Sequence, residues 1–340
     1  MIAITGGGTG GHLSIAKALK EELNKRGIKP IFIGSTNGQD RAWFKNEEGF
    51  SAKYFFDTKG VVNQNKLGKI ISLSKIALYS LKCFFIFKKH SVKKVISVGG
   101  YSAAAASFGA IIFKKELFIH EQNAKTGSLN AKLKPYAKAF FSSYDDNSPV
   151  KDYPVREDFF TTRRVREDLN TIIFLGGSQG AHFINNLAKT MAKPLKNRGI
   201  HIIHQCGKKE YDELKKFYQE ENLDIELYGF IDNMPQVLNR ADLAISRSGA
   251  STLWELCANA LPAIFIPYPY AAGDHQYYNA KFLEDKNLTK IYREKEVDIK
   301  SLLNYITSIK LNKISKNLIN TIDKNATKKI INYIFTSPVS

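Results

Sequence analysis

The chain has 340 residues, 44% of them apolar and 24% charged, with a formal net charge of +18. That length exceeds one ordinary core and suits two domains, and the composition excludes a disordered or fibrous chain. The charge admits nucleic acid, an anionic membrane or an acidic substrate as partner, although richness in Ile, Asn, Phe and Tyr also accompanies an AT-rich genome.

The first strand is expected at 2–5 and runs into GGGTGGH at 6–12, which opens a helix over 12–26 with Ile15, Ala16 and Leu19. A strand at 30–34, a helix at 67–88 and a strand at 94–98 follow, the last ending in Gly99, Gly100 and Tyr101. A helix over 103–113 leads to a strand at 117–120 that closes in His120, Glu121, Gln122 and Asn123. A short helix at 128–132 and a strand at 139–143 complete this half. The polar, proline-marked stretch 145–154 is the natural linker.

The second half repeats the pattern. A strand at 171–175 enters GGSQGA at 176–181 and a helix with Ile184, Leu187 and Ala188; further strands fall at 200–205, 225–228, 243–245 and 263–266. Strands alternating with helices indicate an α/β fold of two Rossmann-like, doubly wound parallel-sheet domains. The unusual residues all follow strand carboxyl ends, where such sheets bind ligands.

Cys83, Cys206 and Cys257 fit no zinc or C-x-x-C spacing and read as buried, reduced thiols. No signal peptide is expected, because a strand begins at residue 2, and no segment is expected to reach the ~20 apolar residues of a membrane span.

Gly6, Gly8 and Gly11 fit the G-x-G-x-x-G dinucleotide fingerprint, but the second strand ends without the acid that holds a ribose diol. The turn still offers amides to a phosphate or a sugar hydroxyl. His12, near a helix N-terminus, is either a neutral proton acceptor or a residue capping or packing under the turn. Ser178 lies in a turn suited to a diphosphate, or in a plain tight turn. In RSGASTLWE at 247–255, small residues open a helix, and Glu255 stands about one turn in. Glu255 either binds both hydroxyls of a ribose or complements the helix dipole. Asp274, in the loop 267–280, is an N-cap, a sugar-reading group or both. The apolar run 76–87, flanked by Lys69, Lys75, Lys88, Lys89, Lys93 and Lys94, is an interfacial patch or a core helix. No Asp-x-Asp stands at a strand end, so a metal-free mechanism is expected, and no nucleic-acid-binding motif is apparent.

The joint set of GGTGGH (7–12), GGY (99–101), HEQN (120–123), PVR (154–156), GGSQGA (176–181), FID (230–232), RSGA (247–250) with Glu255, and Gln276 with Asn279 and Ala280 closely resembles the MurG family. Its motifs occur in family order over nearly the whole chain. The resemblance implies a GT-B fold, two Rossmann-like domains facing across a cleft. Residues 1–152 would form the acceptor and membrane-facing domain, completed by a helix in 327–340, and 153–326 the donor domain. It implies inverting transfer of N-acetylglucosamine (GlcNAc) from UDP-GlcNAc to the 4-hydroxyl of the muramoyl sugar in undecaprenyl-diphospho-N-acetylmuramoyl-pentapeptide, without cofactor. On the donor side stand Arg156, Ser178, Ile231 (uracil), Ala250, Ser251, Thr252, Glu255 (ribose) and Gln276, with Thr9, Gly10, Gly11 and Asn123. On the acceptor side stand Gly11, His12, Tyr101 and Asn123, with His12 or Glu121 as catalytic base. It implies a peripheral protein on the cytoplasmic face of the plasma membrane, against anionic lipid, with no nucleic-acid partner. Ile15, Ala103 to Ala105 and His275 depart from the family pattern, mostly on the acceptor side. A related lipid glycosyltransferase, a UDP-GlcNAc epimerase or a basic nucleic-acid-binding module are the alternatives.

Overall fold

Unbroken apolar runs such as β1 (Ile2–Thr5), buried along its whole length, belong at the centre of a parallel sheet covered on both faces. The computed structural model describes residues 1–61, 64–177 and 180–337. It divides into two compact units, Met1–Arg156 with Lys324–Ser340, and Glu157–Asp323.

The first unit continues with α1 (Gly10–Lys25), β2 (Ile31–Ser35), α2 (Asp40–Phe44), β3 (Ala52–Phe56), α3 (Lys66–Lys89) and β4 (Lys94–Ser97). Then come α4 (Ala104–Ile112), β5 (Glu116–Glu121), α5 (Ser128–Leu133) and β6 (Ala139–Ser142). The sheet runs β3-β2-β1-β4-β5-β6 and every pair is parallel. Ala3, Ile31, Ile33, Val95, Leu117 and Ile119 meet Cys83, Ile86 and Phe87 of α3 and Ala106 and Ala110 of α4. Helix α1 buries Leu13, Ile15, Ala16, Leu19 and Leu23, the 3.6-residue stripe of a surface helix.

The second unit comprises α6 (Glu157–Thr161), β7 (Thr171–Leu175), α7 (His182–Lys196), β8 (His201–Gln205), α8 (Tyr211–Glu220), β9 (Glu226–Tyr228) and α9 (Met234–Arg240). It goes on through β10 (Leu243–Ser246), α10 (Ala250–Ala258), β11 (Ala263–Phe265), α11 (His275–Glu284), β12 (Thr289–Ile291), α12 (Ile299–Ser308) and α13 (Leu311–Ile319). Its parallel sheet runs β12-β11-β10-β7-β8-β9, so both units have the same strand order when counted from their own first strand. The guanidinium of Arg166 is fully buried and donates to the carbonyls of Arg164, Leu238, Ala241 and Asn259 and to Asn259 Oδ1. It ties the lead into β7 to the ends of α9 and α10.

α14 (Ala326–Thr336) returns to the first unit. Lys94 Nζ donates to Ile334 O at 2.7 Å, Lys329 pairs with Asp152 at 2.6 Å, and Tyr333 stands edge-on to Phe141.

Four sequence expectations need correction. The stretch 145–154 is packed on the first unit rather than free: Tyr153 is buried against His120, and Ser148 Oγ accepts from Ser142 N and donates to Val150 O. The division falls after Arg156, because Tyr153 and Val155 carry apolar surface that needs cover. Edge strands β3 and β12 and the five-residue α2 were unforeseen; each is too short, or too evenly half-buried, to show a period. Finally α3 has 24 residues and, by length and composition, is apolar enough to cross a membrane. It nevertheless buries one stripe, Ser72, Ile76, Ser80, Cys83, Ile86 and Phe87, in the unit.

Candidate active site

In the first unit, three loops at strand carboxyl ends converge. Gly6 takes φ +125°, and a Cβ there would stand 2.5 Å from Gly99 O, so the turn after β1 lies against the turn after β4. Gly7 N donates to Gly99 O at 3.0 Å. Helix α1 begins at Gly10 with Thr9 as N-cap, two residues earlier than expected, and His12 is its third residue. His12 Nδ1 lies 3.0 Å from Thr9 Oγ1, and its Nε2 lies 3.0 Å from the Gln122 amide. A Cβ on Gly99 would be 3.3 Å from the His12 ring and 3.0 Å from Asn130 Nδ2. The ring of Tyr101 closes over Gly8.

Glu121 is buried and fully engaged. Its Oε1 accepts from Asn123 N at 3.0 Å, and its Oε2 accepts from Gly127 N and Asn130 Nδ2, both at 2.9 Å. Those bonds fold the loop after β5 around its carboxylate. His120 is buried behind it, and neither ring nitrogen has a hydrogen-bond partner among the described residues. Burial, with His12 nearby, pushes its pKa down to about 3, so it stays neutral.

Asp40 was not foreseen. The acid absent from the end of β2 arrives with α2, and its buried carboxylate accepts from Gly8 N and Ser35 N at 2.5 and 2.8 Å. An internal carboxylate thus takes an amide of the first glycine turn, rather than holding a ribose. Burial raises its pKa despite these bonds.

In the second unit, Gly180 takes φ +77° with a would-be Cβ 2.2 Å from Cys206 O, which seats the turn after β7 on the end of β8. Ser178 lies outside the described residues. Gly249 caps α10, which starts at Ala250 and aims the amides of Ala250, Ser251 and Thr252 outward from the strand end. Glu255 is half-buried on the same helix. Arg247 is buried and donates to Ile266 O and Pro267 O at 3.0 and 3.2 Å, pairs with Glu294 at 2.5 Å and stands near the rings of Phe183 and Tyr268. Asn279 Nδ2 donates to Ser248 O, and Gln276 Oε1 accepts from Tyr268 N at 2.9 Å. Asp274 does not cap α11: its own φ is +54°, and its carboxylate pairs with both terminal nitrogens of Arg293 at 2.9 and 2.6 Å. The turn after β10, the loop after β11 and the start of α11 are therefore one hydrogen-bonded assembly. Ile231 is buried in the loop that follows β9, the edge strand at the far side of the sheet from β11 and β12, and this loop too leaves a strand's carboxyl end.

Thr9, Gly10, Gly11, His12, Tyr101, Glu121, Asn123 and Arg156 lie in the first unit; Ile231, Ala250, Ser251, Thr252, Glu255 and Gln276 lie in the second. Arg156 is the last residue of the first unit's main segment, not part of the second as the expected boundary had it. Arg293 and Glu294 went unnoticed because nothing local marks them; their partners lie 19 and 47 residues away. All three cysteines are buried and free, and desolvation pushes Cys83 and Cys257 up to about 12 and Cys206 to about 11.

Two parallel six-stranded sheets of one strand order, each with its polar loops at the carboxyl ends, form a GT-B glycosyltransferase fold. Family models for the glycosyltransferase family 28 N-terminal domain and C-terminal domain match residues 2–142 and 171–334. A Campylobacter fetus subsp. fetus protein named UDP-N-acetylglucosamine–N-acetylmuramyl-(pentapeptide) pyrophosphoryl-undecaprenol N-acetylglucosamine transferase is 55% identical over 334 residues, 98% of this chain and 99% of its own. A Sulfurovum sp. protein of the same name is 52% identical, over 97% of this chain and 96% of its own. The crystal structure of Acinetobacter baumannii MurG matches with TM-score 0.77 at 26% identity, covering 98% of each chain. The chain belongs to glycosyltransferase family 28 and, within it, to the MurG family.

Proposed function

We propose that the chain transfers GlcNAc from UDP-GlcNAc to the 4-hydroxyl of the muramoyl sugar in undecaprenyl-diphospho-N-acetylmuramoyl-pentapeptide, with inversion. The acceptor oxygen attacks the anomeric carbon, the bond from that carbon to the UDP oxygen breaks, and the hydroxyl proton passes to a base. The observation that carries the donor half is the β10–α10 junction: a glycine-capped helix N-terminus, with Glu255 on the same helix. First-turn amides and the helix dipole meet the charge that develops on the leaving diphosphate. Glu255 takes the ribose diol, Ile231 the uracil through its backbone, and Gln276 the sugar, with Arg156 and Ser178 assisting. No cofactor or metal is invoked.

His12 is the base. It stands at a helix N-terminus, where the dipole disfavours imidazolium, with Gly10, Gly11, Tyr101 and Asn123 around the acceptor. Glu121, whose carboxylate is spent on three loop donors, shapes the loop instead.

The lipid-linked acceptor and the charge of +18 support an anionic membrane surface, rather than nucleic acid, as the partner. The support is α3: opposite its buried stripe it exposes Leu67, Ile70, Leu73, Leu78, Leu81 and Phe85, among Lys69, Lys82, Lys88 and Lys89. A helix apolar all round with one stripe in the core leaves an outer face for lipid. A structure with UDP-GlcNAc tests the donor half. Uracil beside Ile231 and ribose on Glu255 are expected; UDP bound at the first glycine turn would refute the assignment.

A further inference from the structure

We propose that Asp40 is a positioning residue of the acceptor side: its buried carboxylate fixes the glycine turn after β1 and, through that turn, the start of α1 that carries His12. The inference rests on reading His12 as the base. Asp40 is fully buried, so it meets no substrate and acts only through what it holds. Its two oxygens serve two strands. Oδ1 accepts from Gly8 N, three residues past β1, at 2.5 Å, and Oδ2 accepts from Ser35 N, at the end of β2, at 2.8 Å. Both donors are backbone amides of buried residues, so the place calls for two acceptors and no donor. Among side chains of this size only a carboxylate supplies that; asparagine would turn its NH2 group against one of the two amides.

The chain around the carboxylate is shaped to it. A Cβ on Gly7 would stand 2.5 Å from Asp40 Oδ1, and one on Gly34 would stand 2.9 Å from Oδ2. Two glycines, one after β1 and one in β2, thus leave the space that the carboxylate fills. Gly38, in the loop leading to Asp40, would bring a Cβ within 2.8 Å of Gly8 O, so that loop lies on the same turn. The preceding amide is held from the other neighbouring strand, because Gly7 N donates to Gly99 O at 3.0 Å beyond β4. Gly6, Gly7 and Gly8 all have positive φ, and such a run has little conformational preference of its own. The next residue, Thr9, is the N-cap of α1. Its carbonyl accepts from Leu13 N at 3.3 Å, and its hydroxyl lies 3.0 Å from His12 Nδ1. The amide that Asp40 holds is therefore adjacent in sequence to the cap that sets His12. A proton-accepting group must be held within roughly 0.5 Å of its productive place, which a loose turn would not do.

The test compares the full-length wild type with Asp40→Asn, His12→Asn and the double variant, each at a temperature where it is folded. Asp40→Asn is expected to lower kcat at least about tenfold with the UDP-GlcNAc KM unchanged, because Ile231, Glu255 and Gln276 belong to the other unit. In the His12→Asn background the same change should cost less than about twofold more, since a residue that acts through His12 then has nothing to act on. Hydrogen exchange read by mass spectrometry gives a measure independent of His12. In Asp40→Asn the peptide spanning the glycine turn should exchange at least about tenfold faster, with peptides of the second unit unchanged. Asp40→Ser, which opens space instead of crowding the amides, should give the same pattern, so the result does not hang on the folding of one variant. Wild-type kcat in the Asp40 variants, unchanged exchange at the turn, or a loss that adds in full to that of His12→Asn overturns the proposal. Full turnover in His12→Asn would instead remove His12 as the base, and the exchange data would still decide whether Asp40 fixes the turn.

Discussion

A charged hydrogen bond from a carboxylate to sugar hydroxyls is worth roughly 1.5–3 kcal/mol. Glu255→Ala should therefore raise the KM for UDP-GlcNAc about ten- to a hundredfold while leaving kcat nearly intact. Unchanged donor kinetics would remove Glu255 from the site. His12→Ala should lower kcat by about 10²–10⁴ and abolish the acidic limb of the pH profile; loss of acceptor affinity alone would make it a binding residue. The motif residues were legible because strand, turn and helix start are written within a dozen neighbouring positions. Asp40 was not: it sits five residues past β2 and acts on a turn 32 residues away, a relation only the sheet order creates. Arg293, which holds Asp274, and Glu294, which pairs with Arg247, escaped for the same reason.

Elements carry their own energetics. Arg166→Met leaves four backbone carbonyls and the side chain of Asn259 without their buried donor, and should cost about 3 kcal/mol or more, read as a lower urea midpoint. Wild-type stability in that variant would mean the ends of α9 and α10 hold without it. For α3, Leu81→Ser with Phe85→Ser should weaken binding to anionic vesicles at least about tenfold, with fold and UDP-GlcNAc affinity kept. Undiminished vesicle binding would assign membrane contact to another surface. The sequence left α3 as either interfacial or core; the helix lays one stripe on α4 and leaves its other face exposed. Its apolar composition all round carried no period from which to tell the two faces apart.

Across the whole molecule, one buried neutral histidine in each unit links stability to pH. His120 and His204 are both lowered by burial to about 3, against an ordinary value of 6.5. The unfolded chain therefore takes up protons that the folded chain refuses, and stability falls as pH drops from about 6.5 toward 3, by up to about 1.4 kcal/mol per pH unit for each histidine. Asp40, raised by burial, acts in the opposite direction over its own range and offsets part of this loss. Thermal unfolding followed from pH 7 to pH 4 should show the falling midpoint; a flat profile would mean the histidines are solvated. The repeated strand-turn-helix pattern made two α/β units legible, and the return of α14 to the first unit was implied only by the family resemblance. Purified protein supplied with UDP-GlcNAc should release UDP and form a β-1,4-linked disaccharide only when undecaprenyl-diphospho-N-acetylmuramoyl-pentapeptide is present. Transfer to diacylglycerol, or epimerisation of UDP-GlcNAc with no acceptor, would contradict it.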